Sequence, residues 1–226
     1  MILLSQYYSD SLSAERLRRC YEIAPPRVAR YLEAEIEHVL AKIKSSDTVL
    51  ELGCGYGRVI GRLLGKARKV VGIDTSKASL EQAKKDLQHQ SKLDLAQMNA
   101  VNLGFTDGCF DVVICIQNGI SAFKVDQEDL ILESLRVIQD GGTCLFSSYS
   151  DGFWEHRLEW FHLQASEGLI GEIDMRKTGN GCIVCNDGFQ ATTLSSEDFS
   201  ELVSRIGVTA TIAEVDESSI FCEIRV

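Results

Sequence analysis

Glu51 to Arg58, reading Glu-Leu-Gly-Cys-Gly-Tyr-Gly-Arg, constrains the chain more than any other stretch. It follows an apolar run, Thr48 to Leu52, with the character of a buried strand. It leads into Arg58 to Leu64, which reads as a helix stopping near Gly65. Glycines at 53, 55 and 57 let the backbone turn sharply and approach a ligand with no side chain in the way. A ligand therefore belongs on this turn. In the dinucleotide fingerprint, a third glycine packs helix against strand and a pyrophosphate rests on the helix N-terminus. Here that position is Arg58, and Glu51 stands at the strand end, where a carboxylate repels a pyrophosphate and attracts a cation.

Downstream, strand-like runs alternate with helical spacing, the pattern of a doubly wound α/β sheet. Lys69 to Asp74 is apolar and closes on an acid. A strand-terminal carboxylate about twenty residues after such glycines accepts hydrogen bonds from ribose hydroxyls. The plainer reading of Asp74 is a turn carboxylate, since Thr75 or Ser76 can cap a helix from Lys77 to Gln88. Leu93 to Gln97 reads as a third strand, followed by Asn99-Ala100. Phe110 to Ile116 is almost continuously apolar, as in a parallel strand buried on both faces, and ends in Gln117-Asn118. Ligands of open α/β sheets bind outside the carboxyl ends of the strands, so these two residues either face the ligand or form a polar turn. Asp126 and Asp129 start a helix, and Thr143 to Tyr149 is a fifth strand.

Val49 to Gly57, in the form V-L-E-L-G-C-G-Y-G, resembles the first motif of class I S-adenosylmethionine-dependent methyltransferases, and the segments from about 47 to 149 follow that family's order. The resemblance implies a seven-stranded, mostly parallel sheet with an antiparallel last hairpin and helices on both faces. It also implies S-adenosylmethionine as cofactor, with S-adenosylhomocysteine as product. That ligand has no phosphate and carries an ammonium and a sulfonium, which suits Glu51. The implied cofactor contacts are Glu51, Gly53, Cys54, Gly55, Gly57, Asp74, Thr75, Asn99, Ala100 and Gln117, with Asn118 and Tyr149 toward the acceptor. The family usually has Asp where this chain has Asn99, whose amide oxygen can still accept from the adenine amino group. Leu135 to Gly142 is similar to the family's Leu-Lys-Pro-Gly-Gly turn without its proline. The Asp/Asn-Pro-Pro-Tyr-like motif of nucleic-acid adenine methyltransferases is absent, both prolines being at 25 and 26.

The whole chain, 1–226, reads as one domain with a helical cap over 1–45, a cofactor core over 46–149 and a substrate-side insertion over 150–192. The cap contains a short helix around Ala14 to Tyr21 and a longer one from Arg27, with Val28, Tyr31, Leu32, Ile36, Val39, Leu40 and Ile43 at helical spacing. Tyr7, Tyr8 and Tyr21 are either lid residues or aromatic packing. In the insertion, Asp151 to Ser166 reads as an aromatic helix with Trp160 and Phe161, either a pocket wall or core. Gly168 to Phe189 reads as a hairpin turning at Gly179-Asn180-Gly181. Cys182 and Cys185 within it are a lone pair, weak as a zinc signal. Ser195 and Asp198 form a capping box, and Ser219 to Val226 is a closing strand.

A net charge of -10 repels a phosphate backbone, so nucleic acid is a poor partner. The start lacks a basic region and a cleavage site, and no apolar stretch is long enough for a bilayer, so a cytoplasmic protein with no membrane partner, monomer or homodimer, is expected. Cysteines in apolar runs (Cys109, Cys115, Cys144, Cys222) read as small hydrophobes rather than a disulfide framework. The function these features point to is methyl transfer to a nitrogen, oxygen or sulfur nucleophile on a small molecule. The alternatives are an RNA or protein methyltransferase, a non-catalytic S-adenosylmethionine-binding protein and an NAD-type oxidoreductase. No catalytic constellation and no metal site stands out, consistent with a reaction that needs alignment and exclusion of water more than a strong base.

Overall fold

The computed structural model describes Tyr7, residues 11–88 and residues 90–226. Tyr8 and the apolar run over 1–6 lie outside the described residues. Two helices, α1 (Ala14–Glu22) and α2 (Pro26–Lys42), precede β1 (Thr48–Leu52). There follow α3 (Ile60–Leu63), β2 (Lys69–Asp74), α4 (Lys77–Asp86), β3 (Leu93–Gln97), β4 (Phe110–Cys115), α5 (Gly119–Ala122), α6 (Gln127–Val137) and β5 (Ile138–Tyr149). A 3-10 turn (Asp151–Phe153), α7 (Trp154–Ser166), a small hairpin of β6 (Ile183–Val184) and β7 (Gln190–Ala191), α8 (Ser196–Arg205), β8 (Ala210–Val215) and β9 (Ser219–Arg225) complete the chain.

The main sheet has seven strands in the order β3-β2-β1-β4-β5-β9-β8. β1 to β5 run parallel, and β9 enters antiparallel between β5 and β8. Alternation along each strand explains the two-sided burial. Leu50, Leu52, Val113 and Cys115 face a core shared with Leu130 and Ile131 of α6 and Phe199 and Leu202 of α8. Val49, Val112 and Ile114 face the other, shared with Ile36 and Val39 of α2, Ile60 and Leu63 of α3 and Leu80 of α4. A third cluster joins Cys20 of α1, Val28 and Tyr31 of α2, Tyr149, Trp160 and Phe161 of α7 and Phe189 beside the small hairpin. Helices α1 and α2 thus meet α7 and the small hairpin in one aromatic core at the carboxyl end of β5.

Three elements differ from the sequence expectation. The helix after the glycine turn is a single turn, Ile60–Leu63, because residues up to Val59 still belong to the glycine turn and Gly65 follows closely. The fifth strand begins at Ile138, with a register irregularity opposite Phe110 and Val112. In the insertion, Gly179-Asn180-Gly181 closes only the isolated bridge between Gly179 and Cys182, whereas the two-stranded ladder turns at Asn186 to Gly188. All eight cysteines are free thiols. Among the described residues no helix is long and apolar enough to cross a membrane, and no group of three metal-ligating side chains exists.

Ser195 accepts from the Asp198 N–H at 3.1 Å while the Asp198 carboxylate accepts from the Ser195 N–H at 2.8 Å, the reciprocal pattern that satisfies two otherwise orphaned donors of α8. Ser195→Ala is expected to lower stability by about 1 kcal/mol, read as a reduced urea midpoint with an unchanged slope; an unchanged midpoint contradicts the cap's contribution.

Candidate active site

The turn after β1 is built on left-handed backbone: Gly53, Gly55 and Gly57 have φ of 70, 54 and 87°. A side chain at Gly53 would strike the Phe123 ring at 2.4 Å, and one at Gly57 would strike Leu87 Cδ1 at 2.7 Å. Gly57 therefore seats the turn against α4 and its end, and it does not line the cavity. The Asp74 carboxylate holds the turn from the next strand, accepting from the Gly55 N–H at 2.8 Å and from the Ser76 N–H at 2.8 Å. Of the two capping candidates Ser76 caps α4, its hydroxyl accepting from the Ser79 N–H at 3.2 Å. Burial pushes the Asp74 pKa up, and the backbone donors at Ser76 and Gly55 oppose that shift.

A cavity of about 490 Å3 opens over this turn. It is lined by Glu51, Gly53, Cys54, Gly55, Asp74, Thr75, Asn99, Ala100, Gln117 and Tyr149, bringing together ten of the twelve residues singled out from the sequence. Gly57 and Asn118 are the exceptions. Asn118 is 4% exposed, and both ends of its amide are engaged within the chain. Its Nδ2 donates to the Thr192 carbonyl at 2.9 Å, and its Oδ1 accepts from the Ser148 hydroxyl at 2.9 Å. The expected acceptor contact is thus replaced by a structural one that ties β4's end to the segment before α8. Asn99 lines the cavity, with its Oδ1 accepting from the Val101 N–H at 3.2 Å. Of the tyrosines, Tyr21 lines the cavity while Tyr7 donates to Asp187 Oδ2 at 2.6 Å, away from it. Cys182 and Cys185 also lie outside it.

The end of the cavity near the glycine turn holds an acid and a guanidinium with unmade hydrogen bonds. Glu51 is 5% exposed and its Oε2 has no hydrogen-bond partner; the buried Nε and Nη2 of Arg58 have none either. No ion pair joins the two side chains. Burial raises the Glu51 pKa to about 8, with Arg58 opposing the rise and Asp74 adding to it. Arg58 stacks its guanidinium 4.5 Å above the Tyr21 ring, linking the turn to α1. Leu12 and, from α1, Leu17, Cys20 and Tyr21 close this end, the Ala14 N–H donating to Ser79 Oγ at 3.0 Å. The lining is completed by Phe123, whose ring lies against Gly53, and by Val125, Tyr149, Trp160, Phe161 and Gln164.

Sequence reasoning left Arg58 with a negative role only, as the residue in place of a glycine, and passed over Glu35 and Gln164. Glu35 is 0% exposed on the buried face of α2. Its Oε2 accepts from the Gln117 N–H at 2.7 Å, which also reaches Ser147 Oγ at 2.9 Å. The pair holds Gln117 and Asn118 in successive left-handed conformations, φ 56 and 63°, a backbone state uncommon for such residues. A signal was available: Glu35 interrupts the apolar stripe Tyr31, Leu32, Ile36, Val39 at a core-facing position.

The sheet order, the glycine turn and the acids at the ends of β1 and β2 define a class I methyltransferase fold. Residues 49–142, about two fifths of the chain, match the family model described as a methyltransferase domain, which supports the resemblance to class I S-adenosylmethionine-dependent methyltransferases. It is 27% identical over 140 residues to a demethylmenaquinone methyltransferase of Oceanobacillus iheyensis, covering 58% of this chain and 57% of that one. It is 28% identical over 189 residues to a 2-methyl-6-phytyl-1,4-hydroquinone methyltransferase of Synechocystis sp., covering 72% and 58%. The chain thus spans less than three fifths of the length of these curated relatives. Among solved structures, the N-methyltransferase NodS from Bradyrhizobium japonicum WM9, in complex with S-adenosylhomocysteine, shares the fold at a TM-score of 0.60 and 14% identity, over 96% of this chain and 98% of that one.

S-adenosylmethionine is the cofactor that the matching methyltransferase domain and the fold imply, and the residues present fit it. A buried carboxylate and a buried guanidinium, each with open hydrogen-bonding atoms and not paired with each other, complement the ammonium and carboxylate of an amino acid.

Glu35 gives a pH prediction. Burial raises its pKa from 4.5 to about 7, against the opposing effect of Ser147, the Gln117 N–H and Arg58. The folded state holds this proton more tightly than the unfolded chain, so the associated stabilisation is full below about pH 4.5 and is lost as pH rises through about 7. Melting temperature is expected to fall between pH 5 and 8 more steeply in the wild type than in Glu35→Gln; parallel profiles would contradict this.

Proposed function

We propose that the protein transfers the methyl group of S-adenosylmethionine to a nucleophile on a small molecule. The observation carrying this reading is the unpaired Glu51 and Arg58 set side by side in one cavity, with Asp74 on the adjoining strand. Under it, Glu51 receives the cofactor's ammonium, and Arg58 its carboxylate. Asp74 keeps lone pairs free after its two backbone bonds and takes the ribose hydroxyls. The adenine lies between Met98, Asn99, Ala100 and Val125. When bound, the cofactor supplies a methyl group already activated on a sulfonium. The protein's part is to orient donor and acceptor and to exclude water, which α1 and α7 do by roofing the cavity. The names of the relatives, acting on menaquinone precursors and hydroquinones, support a small-molecule acceptor. Within a single domain, the cap over 1–45 acts as the lid over the cofactor and the insertion over 150–192 as the substrate-side part.

Calorimetry is expected to show S-adenosylhomocysteine binding at roughly micromolar affinity, with no binding of NAD. Asp74→Ala should weaken it by about a hundredfold, the loss of charge-assisted bonds to two hydroxyls, while circular dichroism stays unchanged. Equal affinity in a folded Asp74→Ala variant, or preferential NAD binding, refutes the assignment. Transfer of labelled methyl to a metabolite panel then tests the activity itself.

A further inference from the structure

Resting on the cofactor reading above, we infer that Tyr21 of α1 is a positioning residue for the cofactor: its ring holds the Arg58 guanidinium away from Glu51, so that both side chains stay open to the amino-acid end of the ligand. Glu51 and Arg58 line the same cavity. Opposite charges in a buried site attract strongly, and the plainest fate of such a pair is a salt bridge, which would consume the donors and the acceptor that the cofactor needs. None is formed. The Glu51 Oε2 and the Arg58 Nε and Nη2 are buried without a hydrogen-bond partner.

Arg58 is held instead by the ring of Tyr21, whose centroid lies 4.5 Å from the guanidinium carbon. A ring face attracts the cation through its quadrupole and uses none of the N–H donors in the guanidinium plane. It fixes the guanidinium and leaves the donors free, which a carboxylate could not do. Tyr21 is fixed in turn. Trp160 Nε1 donates to the Cys20 carbonyl at 2.8 Å, and the Trp160 and Tyr56 rings lie 6.0 and 6.1 Å from the Tyr21 ring. The glycine turn returns the contact: the Arg18 guanidinium of α1 lies 4.9 Å from the Tyr56 ring, so helix and turn exchange a cation for a ring in both directions. Leu17 packs on the same turn, its Cδ2 3.1 Å from where a side chain at Gly55 would begin.

Without the ring, Arg58 is free to close on Glu51. Arg58 already opposes the burial that raises the Glu51 pKa to about 8, so a closer approach favours the ionised acid and strengthens the pair. A bound amino acid then has to break that pair, and its affinity falls in proportion to the fraction of molecules in which the two side chains stay apart. A ligand with the same adenosine and sulfur but no amino acid is indifferent to it. Tyr21 therefore acts on one end of the cofactor only, which separates positioning from service as a cover.

The test titrates the full chain with S-adenosylhomocysteine and with 5′-methylthioadenosine, which lacks the amino-acid end. The wild type is expected to prefer S-adenosylhomocysteine by about a hundredfold, the worth of charge-assisted bonds at both charges. Tyr21→Leu should weaken S-adenosylhomocysteine by about tenfold, the scale of a desolvated cation–π contact, with 5′-methylthioadenosine unchanged, which also reports an intact fold. Tyr21→Phe keeps the ring face and should match the wild type. Replacing Tyr21 with trifluorophenylalanine, which keeps the shape and withdraws charge from the face, should weaken S-adenosylhomocysteine about threefold relative to Tyr21→Phe, a comparison that stands whether or not Tyr21→Leu folds. In a Glu51→Gln background, where the competing acid is gone, Tyr21→Leu should cost about twofold or less. Equal weakening of both ligands by Tyr21→Leu, identical affinities for Tyr21→Phe and its trifluoro counterpart, or an undiminished cost of Tyr21→Leu in the Glu51→Gln background overturns the inference and leaves the cofactor site standing. Failure of S-adenosylhomocysteine to bind the wild type at all overturns the cofactor reading, and this inference with it.

Discussion

The hydrogen bond from the Gly55 amide to the Asp74 carboxylate, 2.8 Å long, is the contact on which the geometry of the cavity depends. It joins the glycine turn after β1 to the end of β2, and a second bond, from the Cys54 N–H to the Ile73 carbonyl at 2.8 Å, repeats the tie one residue away. The register below them, Glu51 opposite Gly72 and Leu52 opposite Ile73, carries the two acids to the same edge of the sheet. Gly72 makes that closeness possible. A side chain there would meet Ile60 Cδ1 at 2.5 Å and Cys54 Sγ at 2.9 Å, lifting the turn off its neighbour. The position of the site is thus inherited from strand pairing, and the glycines remove the atoms that would oppose it.

Much of the central sheet was legible because burial on both faces leaves a simple trace, short apolar runs closed by a charge or a polar pair. Thr48 to Leu52, Lys69 to Asp74 and Leu93 to Gln97 were read with their observed limits. The glycine spacing and the acid at 74 identified residues that do line one cavity. What the sequence left hidden depends on contacts between distant segments. Asn118 looks like a site residue because it ends a central strand, yet its amide links Thr192 to Ser148. Gln164 looks like a surface residue of an aromatic helix, yet it is buried and lines the cavity. The hairpin of the insertion was misplaced because Gly-Asn-Gly is a strong turn signal wherever it occurs, and the longer pairing formed around Asn186 to Gly188 instead.

Part of the local cost lies around the cavity. The unfilled atoms of Glu51, Arg58 and Gln117, and the left-handed pair Gln117 and Asn118, lie within or beside it. Strain and unsatisfied polar groups survive where the surroundings over-determine them and a ligand uses them. Glu35, Ser147 and Ser148 supply that determination from α2 and β5, with the apolar cores on either side of the sheet supplying the stability that offsets it.

α1 is attached differently from everything beneath it. Arg18 pairs with Asp86 of α4, Arg19 with Glu167, and Arg16 donates to the carbonyls of Gly168 and Leu169. These contacts sit at the rim, partly open to solvent, where ionic strength screens them, whereas the Tyr21 and Trp160 rings pack on the inside. Its rim of guanidinium contacts therefore weakens as the electrolyte around the molecule becomes more concentrated, while the ring packing beneath it does not.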